Sequence, residues 1–287
     1  MHVAALREKI AVVPAAAPAS SPAAESGAIV RLLTCGSVDD GKSTLIGRLL
    51  WDSAAVAEDQ RAAVMHASQN RALNGEKVDF SLLLDGLQAE REQGITIDIA
   101  WRYFETTRRR FVIIDAPGHE QYTRNMATGA SHADVAILLV DARHGVKRQT
   151  RRHAAICNLV GIKKVILAVN KMDLIDWSEE TFRAIEEDFR ALAGNFAFAQ
   201  IAAIPVAALP GDNVVRRSSV MPWYSGPTLL DCLETVDANV EPRDAPFRFP
   251  VQLVLRHGDF RGYAGTVASG RIRPGDRLVD ARTGLGA

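Results

Sequence analysis

The chain has 287 residues, a formal net charge of zero from 34 Lys plus Arg against 34 Asp plus Glu, and 47% hydrophobic residues. This size and composition indicate a globular protein of one large domain or two ordinary ones. Without net positive charge the chain lacks the broad basic field that holds nucleic acids or anionic membranes, so neither partner is expected. The longest apolar runs, such as 135–140, have the length of a β-strand and fall far short of the ~20 residues that span a bilayer.

The cysteines and the N-terminal segment bear on the compartment. Cys35, Cys157 and Cys232 lie far apart and are odd in number, which favours buried thiols in a reducing, cytoplasmic compartment over a disulfide framework. Residues 1–28 are rich in Ala, Pro and Ser, and Arg7, Glu8 and Lys9 interrupt the apolar region that a signal peptide would need. We therefore expect a disordered leader rather than a signal peptide.

From residue 29, short runs of Val, Ile and Leu alternate with polar segments of helical period, which predicts an α/β domain on a mostly parallel sheet. Strands are expected at 29–35, 97–104, 111–115, 135–141, 165–170 and 201–206. The second and third strands are too close in sequence for a crossover helix, so they should form an antiparallel hairpin at one edge. A helix that begins after the N-cap residue Ser178 should pack on the sheet. Its predicted buried face consists of Phe182, Ile185, Phe189 and Leu192.

The composition changes after residue 238. A helix-like segment at 228–236 ends the α/β domain, which we place at 29–238, and residues 239–246 are typical of a linker. Residues 247–287 alternate apolar and polar positions between closely spaced Gly and Pro turn signals, as in a small antiparallel β-barrel. Because this stretch is long enough for only about three or four strands, we expect a partial barrel domain.

The strongest motif is Gly-Ser-Val-Asp-Asp-Gly-Lys-Ser at 36–43, which satisfies the P-loop pattern G-x-x-x-x-G-K-[ST]. It follows a predicted strand and opens a predicted helix at 44–51, so backbone N–H groups would surround phosphate oxygens. Lys42 would reach the β- and γ-phosphates, and the Ser43 hydroxyl would bind Mg²⁺. A glycine-rich turn without a ligand is the alternative, which the rarity and context of the motif disfavour. The predicted phosphate-binding residues are Gly36, Ser37, Val38, Asp39, Asp40, Gly41, Lys42, Ser43 and Thr44.

A second motif, Asn-Lys-Met-Asp at 170–173, bears on the base of the nucleotide. It ends a predicted strand on the ligand side of the sheet, where the Asp173 carboxylate can accept hydrogen bonds from N1–H and the N2 amino group of guanine. Adenine offers neither donor, and such a loss can weaken binding by ~10⁴-fold. Alone, the motif is equally compatible with an ordinary strand-to-helix loop. Downstream of a P-loop it favours a guanine nucleotide bound by Asn170, Lys171 and Asp173.

Asp-Ala-Pro-Gly-His at 115–119 ends another predicted strand. Asp115 can hold Mg²⁺ through water, and the Gly118 N–H can contact the γ-phosphate. Thr96 precedes a strand, and its hydroxyl would complete the Mg²⁺ shell, although an isolated Thr there is more often only a strand former. His119 is the candidate for orienting the attacking water, although a lone His after Gly is more often a turn residue. We predict His119, Lys42 and Thr96 as the catalytic residues.

Basic residues cluster at 147–153. Because the net charge of the chain is zero, we interpret this segment as a solvated helix face rather than a nucleic-acid-binding patch.

With these three motifs in this order and a barrel-like segment behind them, the chain resembles GTPases of the translation-factor class. It is more closely similar to the large, GTP-binding subunit of bacterial sulfate adenylyltransferase, a family related to the nodulation protein NodQ. The resemblance lies in TCGSVDDGKSTLIGRLL at 34–50, LLLDGLQAEREQGITIDIAWRYF at 82–104, DAPGHEQYTRNMATGASHADVAILLVDARHGVKRQTRRHAAI at 115–156 and FRGYAGTVASGRIRPGD at 260–276.

The resemblance implies functional assignments. It implies the P-loop and Lys42 on the phosphates, His119 near the attacking water, and a Mg²⁺ shell of Ser43, Thr96 and Asp115. It implies a guanine site made of Asn170, Lys171, Asp173, Ala207, Ala208 and Leu209. In that family GTP hydrolysis drives the formation of adenosine 5′-phosphosulfate and pyrophosphate from ATP and sulfate. A small partner subunit holds the ATP and sulfate, so the chain would be the energy-coupling half of a heterodimer or larger assembly.

Departures from the family keep alternatives open. The loop that usually reads Ser-Ala-Leu is Ala-Ala-Leu at 207–209, and elongation factors usually carry His at the positions of Ser37 and Asp40 and Thr at that of Ser43. The second domain stops early and a third domain is missing, so a C-terminal truncation is expected. The alternatives are a translation-factor-like GTPase and a GTP-binding fragment without coupling.

Overall fold

The computed structural model describes residues 29–53, 55–71, 78–84, 98–237, 246–258, 260–284 and 286. The chain divides into two compact units at residues 238 and 239, and each is described by itself. The predicted leader at 1–28 and most of the predicted linker at 239–246 lie outside the described residues.

The first unit is built on one sheet. Its strands are β1 (Val30–Cys35), β2 (Ala100–Glu105), β3 (Arg110–Asp115), β4 (Val135–Asp141), β5 (Lys164–Asn170) and β6 (Gln200–Pro205). Their order across the sheet is β2-β3-β1-β4-β5-β6. β2 runs antiparallel to β3, and every other neighbouring pair is parallel. The predicted α/β architecture with one antiparallel edge strand is therefore confirmed.

Helices connect the parallel strands. In the described part of the chain they are α1 (Lys42–Asp52), α2 (Glu58–Arg71), α3 (Thr123–Ala130), α4 (Arg148–Leu159), α5 (Glu179–Ala193) and α6 (Leu229–Thr235). Short 3₁₀ helices cover Phe80–Leu83, Glu120–Tyr122 and Met172–Ile175. Within the same described ranges, we find no helix with the length and hydrophobicity needed to cross a membrane.

The core lies around the central strands. All residues of β4 are buried, and since successive side chains of a strand point to opposite faces, both faces of the sheet are covered there. This explains why β4 reads as a continuous run of apolar residues rather than an alternating one. Cys35, Cys157 and Cys232 are free and buried, as predicted.

The start and the buried face of α5, which packs on the sheet, follow from local sequence signals. The Ser178 side chain accepts a hydrogen bond from the backbone N–H of Thr181 at 3.2 Å, which confirms the predicted N-cap. Its buried positions are Phe182, Ile185, Phe189 and Ala193. Leu192, predicted to be buried, is only partly so. In the last turn the position four residues after Phe189, rather than three, faces the core.

The second unit is a small β structure. β7 (Leu253–His257) and β8 (Phe260–Ala264) form an antiparallel hairpin, and isolated bridges join Arg248 to Ser269 and Val279 to Gly286. These are fewer strands, among the described residues, than the three or four expected from the turn signals. Apolar side chains of the hairpin, including Leu253 and Phe260, are exposed.

We expect Phe182→Ala to lower the free energy of unfolding of the first unit by about 3–5 kcal/mol, because it empties a fully buried site. Phe182 also contacts Trp223, at 5.5 Å between ring centroids, so Trp fluorescence during urea denaturation reports the loss. The control Glu187→Ala, on the exposed face of the same helix, should change stability by less than about 0.5 kcal/mol. Equal effects of the two substitutions would contradict this packing.

Candidate nucleotide-binding site

The predicted motifs meet at one edge of the sheet. Parallel strands end at the same edge, and the segments that follow β1, β3 and β5 carry the P-loop, the 115–119 motif and the 170–173 motif. β1 lies between β3 and β4, so the chain order reverses at its C-terminal end. In open α/β sheets ligands bind at such a switch point. The fold therefore places the three motifs around one crevice.

The P-loop depends on backbone conformations that few residues adopt. Asp39 and Gly41 both have positive φ angles, of 69° and 88°. A Cβ at Gly41 would also collide with the side-chain amide of Asn170, so glycine is required for space as well as for conformation. α1 begins directly after this turn, at Lys42, which is two residues before the predicted start of the helix.

Asp40 stabilises the P-loop from within. Its carboxylate accepts a hydrogen bond from the Ser37 N–H at 2.6 Å, and Lys147, just before α4, approaches it at 3.4 Å. Burial raises the pKa of Asp40, whereas the Ser37 N–H and the Lys147 ammonium act in the opposite direction. The P-loop is thereby joined to the N-terminal end of α4.

Lys42 and Asp115 lie in direct contact. The Lys42 ammonium donates to a carboxylate oxygen of Asp115, and both side chains are buried. The structure thus brings together the residues predicted to bind the phosphates and Mg²⁺. Oxygen ligands such as the Asp115 carboxylate and the neighbouring Ser43 hydroxyl are the type that Mg²⁺ prefers, so this donor set fits that ion.

The turn at Gly118 and His119 packs closely on the P-loop. A Cβ at Gly118 would lie 2.6 Å from the carbonyl oxygen of Gly36, so only glycine fits against the P-loop there. His119 precedes the 3₁₀ helix Glu120–Tyr122, and its half-buried ring lies edge-on to Tyr122 with centroids 6.3 Å apart. His119 is therefore held beside the phosphate side of the crevice. Thr96, its predicted catalytic partner, lies outside the described residues.

Asn170 joins the phosphate side to the predicted base side. Its buried side-chain amide donates to the Asp40 carbonyl at 2.8 Å and accepts from the Ala208 N–H at 3.0 Å. Lys171 has a positive φ of 63°, and its ammonium contacts the Asp39 carbonyl and, at 3.1 Å, Asp141. Both residues of this motif therefore contact the P-loop directly.

The remaining base-side residues line the same end of the crevice. Asp173 is the second residue of the 3₁₀ helix Met172–Ile175 and is half-buried. Burial raises the pKa of Asp173, and the negative charge of nearby Asp212 acts in the same direction. Ala207 and Ala208 are buried, whereas Leu209 is exposed. The Leu209 carbonyl accepts from Arg48 of α1 at 2.9 Å, which ties this loop to the helix that follows the P-loop.

Sequence reasoning missed Asp141 and the contacts of α4. Burial opposes ionisation of Asp141, but hydrogen bonds from Arg143 and the Lys171 ammonium outweigh it and hold its pKa well below the usual range. Asp141 ends β4 next to Asn170 at the end of β5, so its position at a strand end was a usable signal. Lys147 and Gln149 gave no such signal, because their contacts depend on how α4 packs.

Comparisons with known proteins match a GTP-binding domain. The model of the elongation factor Tu GTP binding domain matches residues 27–242. The protein called bifunctional enzyme NodQ is 57% identical over 262 residues in Rhizobium tropici, spanning 91% of this chain and 41% of that protein. In Rhizobium meliloti (strain 1021) it is 54% identical over 261 residues, with the same two shares of 91% and 41%. The chain thus spans less than half the length of these relatives.

Solved structures support the same fold. The crystal structure of the S. cerevisiae Ski7 GTPase-like domain, bound to GTP, superposes with a TM-score of 0.62 at 24% sequence identity. The match covers 73% of this chain and 49% of the Ski7 chain. At this identity the likeness shows a shared architecture.

Asn170→Ala should destabilise the nucleotide-free protein by about 2 kcal/mol, since it removes the partners of the buried Asp40 carbonyl and Ala208 N–H. Urea denaturation of the purified chain measures the change. Asn195→Ala, at an exposed site, is the control and should cost less than about 0.5 kcal/mol. A loss at Asn170 no larger than that of the control would show that this bridge contributes nothing.

Proposed function

The chain belongs to the elongation factor Tu GTP-binding domain family, and within it we propose that the protein hydrolyses GTP to drive a sulfate adenylyltransferase. The contact of the phosphate side with the base side through Asn170 carries the GTP-binding part of this proposal. The assignment to sulfate activation rests on the resemblance to the large subunit and on the 54–57% identity to NodQ. The reaction driven would be the formation of adenosine 5′-phosphosulfate and pyrophosphate from ATP and sulfate.

In this proposal the buried ion pair between Lys42 and Asp115 breaks when the nucleotide binds, and each residue takes a new partner. Lys42 turns from Asp115 to the β- and γ-phosphates, and the backbone N–H groups of the P-loop surround the same oxygens. Ser43, Asp115 and Thr96 would hold Mg²⁺, which supplies positive charge beside the phosphates when bound. Each buried charge thereby keeps a partner of opposite sign.

Hydrolysis would depend on the turn that packs on the P-loop. The Gly118 N–H would donate to the γ-phosphate, and the His119 imidazole would orient the water that attacks it. The water adds to the γ-phosphorus as the bond to the β-phosphate oxygen breaks, which leaves GDP and inorganic phosphate. These contacts stabilise charge that shifts during the reaction, so they act on turnover more than on binding.

Coupling requires two states that GTP and the partner bias together, because a ligand with equal affinity for both states shifts nothing. The partner we propose is the small, ATP- and sulfate-binding subunit, in a cytoplasmic heterodimer or larger assembly. GTP binding would favour one arrangement of the complex, and hydrolysis would release it.

Base selection gives a direct prediction. Asp173→Asn exchanges an acceptor for a donor, so we expect the preference to move from GDP to xanthosine diphosphate. Competition of the two nucleotides against a fluorescent GDP analogue measures the change. Asp176→Asn is a matched control, since Asp176 is exposed in the same segment and should leave the preference unaltered. An unchanged preference in Asp173→Asn would remove Asp173 from the base site.

The coupling role predicts how turnover responds to substrates. We expect GTP hydrolysis to rise at least about tenfold when a bacterial small sulfurylase subunit, ATP and sulfate are all present, which matches a coupling free energy of 1–3 kcal/mol. Lys42→Ala, which should not bind GTP, is the negative control, and a full-length large subunit is the positive one.

Two other outcomes would overturn this role. Stimulation by ribosomes in place of the small subunit would indicate a translation-factor function. Nucleotide binding without stimulation, beside a normal response of the positive control, would leave a GTP-binding protein that does not couple.

A further inference from the structure

Gln149, in the first turn of α4, contacts one group in the 118–120 turn and two side chains of α4 itself. Its amide nitrogen donates to the Gly118 carbonyl at 3.3 Å and lies 3.0 Å from Nε2 of His153. Its amide oxygen accepts from the Arg152 guanidinium at 3.2 Å. Every polar atom of this side chain is therefore engaged, although the residue belongs to none of the nucleotide-binding motifs.

The neighbours fix the orientation of the Gln149 amide. The Gly118 carbonyl can only accept a hydrogen bond and the Arg152 guanidinium can only donate one, so a flipped amide would lose both contacts. The amide nitrogen must then donate to His153 Nε2 as well. It follows that His153 is neutral and carries its proton on Nδ1.

The environment of His153 agrees with that protonation state. The side chain is 1% exposed, and burial lowers the pKa of His153 to about 4, with the Arg152 and Lys42 charges acting in the same direction. At neutral pH the imidazole is therefore neutral, as the amide contact requires, and Nδ1, which then carries the proton, has no hydrogen-bond partner among the described residues.

The turn is held from two sides. On one side Gly118 lies so close to the Gly36 carbonyl of the P-loop that no side chain fits between them. On the other side Gln149 holds the Gly118 carbonyl. Arg152 makes a second connection between α4 and the turn, because its guanidinium contacts both Gln149 and the carboxylate of Glu120, the residue after His119.

We propose that Gln149 is a positioning residue for GTP hydrolysis, which orients the Gly118–His119 peptide and through it the His119 imidazole. The Gly118 carbonyl and the His119 N–H belong to one planar peptide, so holding the oxygen sets the direction in which His119 leaves the turn. Glycine has no Cβ, so its backbone angles are less restricted than those of other residues and an additional contact is needed to set them. The inference rests on the proposed role of His119 in hydrolysis.

Single-turnover GTP hydrolysis by the full chain tests this role. Gln149→Leu removes all three contacts, and we expect hydrolysis to slow by about 10- to 100-fold, since a misplacement of about 1 Å can cost as much as about 100-fold. The affinity for a fluorescent GDP analogue should change less than about threefold, since Gln149 contacts the carbonyl of Gly118 rather than its N–H and touches no atom predicted to bind the phosphates or the base. Arg151→Ala, which loses only a surface pair with Asp188, is the control on the same helix and should hydrolyse GTP normally.

Gln149→Glu separates the contacts. A glutamate keeps an acceptor for Arg152 but has no N–H for the Gly118 carbonyl or His153. We expect it to slow hydrolysis as much as Gln149→Leu does. Normal hydrolysis by Gln149→Glu would overturn the proposal, because the donated hydrogen bond would then be dispensable.

A double-mutant cycle distinguishes positioning from general support of the fold. If Gln149 acts through His119, then Gln149→Leu in the His119→Ala background should slow hydrolysis by less than about twofold. Full additivity of the two losses, or parallel losses of GDP affinity and melting temperature, would assign Gln149 a structural role instead.

The same assays keep this inference separate from the proposed function. Fast hydrolysis by wild type and Gln149→Leu, with slow hydrolysis by His119→Ala, would overturn the role of Gln149 alone. Equal hydrolysis by wild type and His119→Ala would overturn the role of His119 and, with it, that of Gln149. Stimulation by the small subunit tests the coupling function independently of both.

Discussion

The buried ion pair between Lys42 and Asp115 is the constraint on which the site depends. Two opposite charges out of water are tolerated only when each keeps a close partner, so the start of α1 and the end of β3 must lie within reach of each other. The parallel pairing of β1 with β3 provides that closeness, and the positive φ angles at Asp39 and Gly41 let the loop between β1 and α1 stay short. A triphosphate with Mg²⁺ offers both charges replacement partners, so a nucleotide can displace the ion pair without leaving either buried charge unpaired.

A second constraint joins the two halves of the crevice. Asn170 uses one side-chain amide to hold the P-loop and the loop at Ala208 together, so the phosphate side and the base side cannot separate without breaking buried hydrogen bonds. α4 adds a link on the phosphate side through Lys147 to Asp40 and Gln149 to Gly118. The P-loop and the His119 turn therefore share one supporting helix, and a shift of α4 would reach both.

The architecture and the motif positions were predictable because they rest on local signals. The apolar run of β4 and the Ser178 cap follow from periodicity and hydrogen-bonding chemistry that neighbouring residues determine. What escaped prediction depends on packing between distant elements. Arg152 belongs to a segment interpreted as a solvated face, yet it contacts Gln149 and Glu120 because α4 lies against the 3₁₀ helix. Asp141, at a strand end beside Asn170, was within reach of the same reasoning that found Asp115 and Asp173.

The site requires a guanine nucleotide in the crevice between Lys42 and Asp173. Calorimetric titration of the purified chain with GDP and with ADP, each in the presence of Mg²⁺, tests it most directly. We expect GDP to bind about 10⁴-fold more tightly than ADP, because ADP leaves the Asp173 carboxylate without its hydrogen bonds. Comparable affinities for the two nucleotides would show that this crevice does not select guanine.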